Sequence, residues 1–125
     1  MANKITLGKP PKNFNRSVLF TTVEGDESFI TWTFIYRTRK QFAELVDTNA
    51  PDDVAPSEGI PTMQSMMEKA NVKSADYIMQ IAEGWDLSAD FNRVNVQELC
   101  DQYPAAVNAA INAYREAVME GRLGN

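Results

Sequence analysis

The chain has 125 residues, 44% hydrophobic and 23% charged, with a net charge of −5. That length suits one compact domain with a real core, and the composition indicates neither wholesale disorder nor a membrane span. Histidine is absent and cysteine occurs once, which removes imidazole-activated nucleophiles, histidine general bases, the usual structural zinc sites and any disulfide within the chain.

Carboxylate or lysine chemistry stays formally open; no cofactor is expected. Charge is uneven: residues 1–40 balance at +4 and residues 41–125 at −9. The acidic part would repel nucleic acid, and the basic Lys4, Lys9, Lys12 and Arg16 are spread through a tail-like stretch, so no nucleic-acid partner is expected. No apolar run spans a bilayer and the N-terminus lacks the apolar centre of a secretory signal, so the expected place is the cytoplasm, without a membrane partner.

Residues 1–16 are polar, with Pro10 and Pro11 breaking regular structure and Ile5 to Leu7 able to pair as an edge strand. Ser17 to Val23 reads as a strand and Ser28 to Tyr36, SFITWTFIY, as a second. The intervening EGDE places Gly25 and Asp26 where a hairpin turn needs tolerance of positive φ. The period of two puts Ile30, Trp32, Phe34 and Tyr36 on one face, toward helices. Phe29, Thr31, Thr33 and Ile35 form the other, open to solvent or to a partner.

Thr38 and Gln41 form a capping box for a helix whose Phe42, Leu45 and Val46 share a face. Asn49 and Pro51 end it, and residues 49–61, NAPDDVAPSEGIP, read as a mobile surface loop. Thr62 caps a helix carrying Met63, Met66, Met67 and Ala70. After Asn71, Ser74 caps another with Tyr77, Ile78, Ile81 and Ala82 inward, stopped by Gly84 as a left-handed C-terminal cap. Asn95 with Glu98 starts a helix presenting Val96, Leu99, Cys100 and Tyr103. Pro104 opens the last, presenting Val107, Ala110, Ile111, Tyr114 and Val118 before Gly121. The fold class is α+β: one domain over residues 1–125, with an N-terminal β-hairpin, three-stranded and antiparallel if Ile5 to Leu7 pairs, packed against a C-terminal bundle of about five helices.

Three groups could carry function. In IAEGWDLSADF, Asp86, Ser88 and Asp90 sit at alternate positions, as calcium ligands do. Counted from Asp86, however, the sixth residue is Phe91 instead of glycine and the twelfth is Gln97 instead of a chelating glutamate. The competing reading is a corner between helices, with Trp85 and Phe91 in the core and Asp86 and Ser88 satisfying free amides. Glu83, Asp86 and Asp90 are the nearest approach to a carboxylate cluster and support no catalytic claim. Arg37, Arg39 and Lys40 beside Tyr36 could grip an acidic partner or phosphate, or else solvate the start of the helix or pair with acids of the C-terminal helices. Met63, Met66 and Met67 form either core packing or an adaptable partner-binding face; the Val107, Ile111, Tyr114 and Val118 stripe is the second candidate for such a face.

The stretches ITLGKPPKNF, YRTRKQFAEL, ADYIMQIAEGWDL with FN following, and YPAAVNAAINAYREAVMEGRLGN, in that order, resemble the tail assembly chaperones of long-tailed bacteriophages and prophages over nearly the whole chain. The resemblance implies a non-enzymatic protein of the host cytoplasm that binds the tape measure protein during tail morphogenesis, keeps it soluble and helps recruit tail tube subunits, the major tail protein being the second partner. It carries Tyr36, Arg37 and Thr38 onto the strand-to-helix junction, Gly84, Trp85, Asp86 and Leu87 onto the corner, Phe91 onto the aromatic after it, and Tyr103 and Pro104 onto the start of the terminal helix, all as packing residues. The alternative is a structural tail protein retained in the virion, a tube or completion subunit; self-association into a homo-oligomer is left open.

Overall fold

The computed structural model describes residues 4–49 and 62–120. In chain order its elements are strands β1 (Asn13–Thr21) and β2 (Glu27–Ile35), helices α1 (Arg39–Thr48) and α2 (Met63–Ile81), strand β3 (Ala82–Trp85), and helices α3 (Arg93–Gln102) and α4 (Pro104–Glu120). The strands form one antiparallel sheet in the order β1-β2-β3. The α+β class, with a three-stranded antiparallel sheet packed on helices, is as the sequence suggested. Of the loop expected over residues 49–61, residues 50–61 lie outside the described residues, as does the helix stop expected at Gly121.

The hairpin turns where Gly25 permits it. Gly25 has φ 94° and its N–H donates to the Thr22 carbonyl, while the Thr22 N–H donates to the Asp26 carbonyl, the pattern of a short turn closed by a left-handed glycine. From there β1 and β2 pair without interruption from Thr21↔Glu27 to Asn13↔Ile35. Alternation sends Ile30, Trp32 and Phe34 of β2 and Val18 of β1 into the interior. On the opposite face the Ser17 and Thr31 hydroxyls lie 2.7 Å apart and the Thr33 hydroxyl donates to Asn15 Oδ1 at 2.8 Å. That polar ladder ends in an exposed apolar pair, Leu19 against Phe29.

The third strand is Ala82–Trp85, on the free edge of β2; Ile5 and Leu7 stay exposed outside the sheet. Gly84 is therefore an extended strand residue opposite Thr33 and not a left-handed helix cap. AEGW has little intrinsic strand preference, so its conformation comes from tertiary pairing, in which the Trp85 ring packs edge-on against Trp32 at 5.7 Å.

Among the described residues the helices number four, not five, because the two helices expected around Asn71 are one α2 of 19 residues. Neither Gly nor Pro interrupts Met63–Ile81. The Asn71 side chain donates to Asp101 of α3 at 3.0 Å instead of competing for its own backbone. The cap of α3 is also displaced: Asn92, not Asn95, is the N-cap, its side chain accepting from the Asn95 N–H. The Thr38–Gln41 capping box and the Thr62 cap form as expected.

The core gathers where β2, α1 and α4 meet. Tyr114 of α4 is fully buried, with its ring 5.3 Å from Phe34, 6.0 Å from Phe42 and 6.1 Å from Phe14. Its hydroxyl donates to the Ile35 carbonyl at 2.8 Å and accepts from Arg37 Nη1 at 3.2 Å. Arg39 donates through Nε and Nη2 to the carbonyl of Met119, closing the C-terminal end of α4 with a cation as the helix dipole favours. Of the two open readings for the basic run, Arg37 and Arg39 thus serve helix α4, through a phenol and a carbonyl and not through acids.

Cys100 is buried on α3, and burial pushes its thiol up to about 11. Two outcomes check this account. Because a Cβ at Gly84 would meet Thr33 at an ordinary 3.7 Å, Gly84→Ala should change the unfolding free energy by within about 0.5 kcal/mol in urea titration; a left-handed cap would instead lose more than about 1 kcal/mol. Stability tied to the neutral Cys100 thiol is complete below pH 9 and lost between 9 and about 11, since the unfolded chain releases that proton first. Native protein at pH 8 should accordingly resist iodoacetamide, with labelling following unfolding.

Candidate partner-binding site

Helix α2 begins beyond the body of the fold. Thr62 caps it by accepting from the Ser65 N–H at 3.1 Å, and from Met63 to Ala70 every residue except Ser65 is exposed. Only from Ala75 onward does one face become buried, through Ala75, Ile78 and Ile81. Met63, Met66 and Met67 are 69%, 47% and 49% exposed, so these three methionines are surface and not core.

At 100° per residue, Met63, Met66, Met67, Ala70, Ser74 and Tyr77 fall on one stripe of α2. Its lower half is one wall of a groove of about 540 Å³, lined by Ala70, Lys73, Ser74 and Tyr77 of α2, by Val46, Asp47 and Asn49 at the end of α1, and by Ile111 of α4. The walls are tied together by reciprocal amide bonds between Asn49 and Gln80, at 3.2 and 2.9 Å, while Asn49 also donates to the Leu45 carbonyl. Burial pushes the Tyr77 phenol up, helped by the neighbouring Tyr114 and opposed by Arg37 and Arg115. The phenol is therefore neutral at ordinary pH. From Met63 to Tyr77 the methionines and the groove wall share one stripe along most of α2.

The second candidate face is distributed differently. Val107, Tyr114 and Val118 are buried and only Ile111 is partly exposed, at the groove. The small residues Ala106, Ala110 and Ala113 let α4 approach the sheet closely, which turns that stripe inward. Its contribution to a surface is Ile111 alone.

The IAEGWDLSADF stretch runs from the last residue of α2 through β3 into the turn before α3, so a strand stands where a direct corner between two helices was expected. Asp86 Oδ1 accepts from the Thr31 N–H at 2.9 Å, continuing the β3 pairing by one side chain. Trp85 Nε1 donates to the Ala89 carbonyl at 2.7 Å, and its ring meets Phe91 edge-on at 5.2 Å. The Asp86 carboxylate is thus spent on the sheet. Among the described residues no three Cys, Asp or Glu side chains gather as metal ligands, and none of the helices there is long and apolar enough to cross a membrane.

The other residues singled out by resemblance hold junctions. Tyr36 extends the hairpin by donating its N–H to Lys12, Arg37 and Thr38 join β2 to α1, and Leu87 lines a small surface depression with Tyr103. Tyr103 caps α3 as Pro104 starts α4, so these helices are joined with no loop between them. The groove residues Val46, Asp47, Lys73, Ser74 and Tyr77 were not among the sequence candidates. The signal was present: the methionine spacing runs on through Ser74 and Tyr77 once α2 is read as unbroken.

A family model for phage tail assembly chaperones matches residues 1–125, the whole chain. No curated protein and no solved structure matches it.

Exposure makes the stripe separable from folding. Met66→Gln with Met67→Gln should shift the unfolding free energy by no more than about 0.5 kcal/mol, whereas Val107→Ala on the buried face of α4 should lose about 2 kcal/mol. Urea denaturation followed by tryptophan fluorescence measures both.

Proposed function

The chain belongs to the phage tail assembly chaperones, and from that premise we propose that it binds the tape measure protein during tail morphogenesis, keeps it soluble in the host cytoplasm and helps recruit tail tube subunits. The observation that carries this reading is the exposed methionine stripe running into an apolar groove. Methionine is unbranched and polarisable, so a row of them repacks around different apolar partners with little strain. Such a strip suits the apolar face of a helix laid along it, with anchors at helical spacing.

Met63, Met66 and Met67, with Ile111 at the base of the groove, are the contact residues in this proposal. An exposed apolar strip on a protein with net charge −5 can cover a hydrophobic partner while the complex stays soluble. The role is one of binding without turnover, which fits a chain whose Asp86 is hydrogen-bonded to the sheet backbone and which has no histidine.

Co-expression with the tape measure protein of the same phage tests the proposal. The expected outcome is that the partner becomes soluble and copurifies only when this chain is present, and that Met66→Gln with Met67→Gln lowers recovery at least about tenfold while the variant remains folded, a loss of roughly 1.4 kcal/mol. A tape measure protein that is equally soluble without the chain, together with detection of the chain in purified particles, would favour the structural tail protein instead.

A further inference from the structure

The rim of the apolar strip carries a charge pattern that folding does not account for. Lys69 and Lys73 stand one turn apart on α2, both exposed, on the side of the methionine stripe away from the core. Like charges at this spacing work against a helix. Neither lysine forms an ion pair with any described residue; Asp76 borders the same shallow depression as both, but its carboxylate is paired with Arg93. Glu68 borders the same shallow depression as Lys69 and Lys73, but adjacent helical positions do not face each other, so it does not neutralise Lys69. Lys73 lines both this depression and the groove. Across the groove, the α1 wall presents Asp47. Over residues 41–125 the balance is −9, so two cations with no ion pair among the described residues stand, beside an apolar strip, against the prevailing sign.

We infer that the strip takes an amphipathic helix with an acidic flank: apolar side chains at i, i+3 or i+4 and i+7 lie on Met63, Met66, Met67 and Tyr77, and carboxylates along one edge meet Lys69 and Lys73. The inference rests on the tape measure reading above and narrows it to segments of that chemistry. Asp47 on the opposite wall disfavours carboxylates on the other edge, so the charges fix which way the partner helix is rolled about its axis. The apolar contacts supply most of the affinity and the charged rim supplies orientation and choice of partner.

Two synthetic helical peptides separate these contributions. They share one leucine face and differ only along a single flank, which carries glutamates in one and lysines in the other. Long-range attraction to a protein of net charge −5 favours the lysine peptide. The local rim predicts the reverse: in fluorescence anisotropy at low salt the glutamate peptide should bind the full-length chain roughly three- to tenfold tighter, and Lys69→Glu with Lys73→Glu should invert that order. Circular dichroism of the variant checks that α2 is intact.

Equal or tighter binding of the lysine peptide by the unaltered chain would overturn the inference, as would a glutamate preference that survives the double substitution. So would sedimentation showing a homodimer that Met66→Gln with Met67→Gln dissolves, because the strip would then be covered by a second copy. Copurification of the tape measure protein is scored separately. Recovery that is unchanged in Lys69→Glu with Lys73→Glu sinks the charged rim and leaves the parent reading standing, whereas no recovery with the unaltered chain sinks the parent reading.

Discussion

Tyr114 holds the fold together because its ring and its hydroxyl answer to both layers. Its ring fills the space between Phe14 and Phe34 of the sheet and Phe42 of α1, while its hydroxyl is satisfied by the Ile35 carbonyl and by Arg37. A buried phenol without partners would be costly. Here the requirement is met at the point where β2 ends and the chain turns into α1, so satisfying one polar group also sets where a strand stops and where a helix begins. Arg39, two residues on, closes the far end of α4. Together these contacts fix α4 across the sheet and α1 beside it, and the groove is the gap that α1, α4 and α2 leave between them.

The sheet shows the same coupling on its other edge. Trp32 is fully buried, stacked on Phe34 and met edge-on by Trp85, which in turn meets Phe91. A row of aromatics with edge-to-face contacts gains beyond its buried area, and it selects an extended backbone for Ala82–Trp85 directly after a helix. That abrupt change from α2 to β3 places the buried end of α2 against the sheet. The other end of α2 is left projecting, with its methionines uncovered.

The proposed binding of an apolar helix would place conflicting demands on the protein. Its apolar surface must be large enough to hold the partner and small enough to stay soluble when empty. The projecting half of α2 would meet both by presenting its three methionines as a narrow strip, with charged residues on its outer side. Because folding draws on the buried half and on α4, the strip can vary without loss of the fold.

Much of this was legible in the sequence because it depends on local periodicity. The alternation of SFITWTFIY predicts which aromatics are buried, Gly25 marks the turn, and Thr38 with Gln41 and Thr62 mark helix starts, since each is fixed by backbone chemistry within a few residues. The methionine spacing likewise identified one helical face. What local pattern could not decide was whether that face was inside or outside, because a methionine row at helical spacing has the same sequence in either place. Nor could it decide that Asn71 lies mid-helix, that AEGW is a strand, or that Val107, Tyr114 and Val118 point inward while Ile111 remains at the groove. Each of those depends on a partner distant in the chain: Asp101 for Asn71, Trp32 for Trp85, and the aromatic cluster of the sheet for α4. The sequence by itself determined the elements whose signals are short-range; the tertiary structure decided which surfaces those elements bury and which they leave exposed, because burial is a property of what packs against a residue and not of the residue's own neighbours.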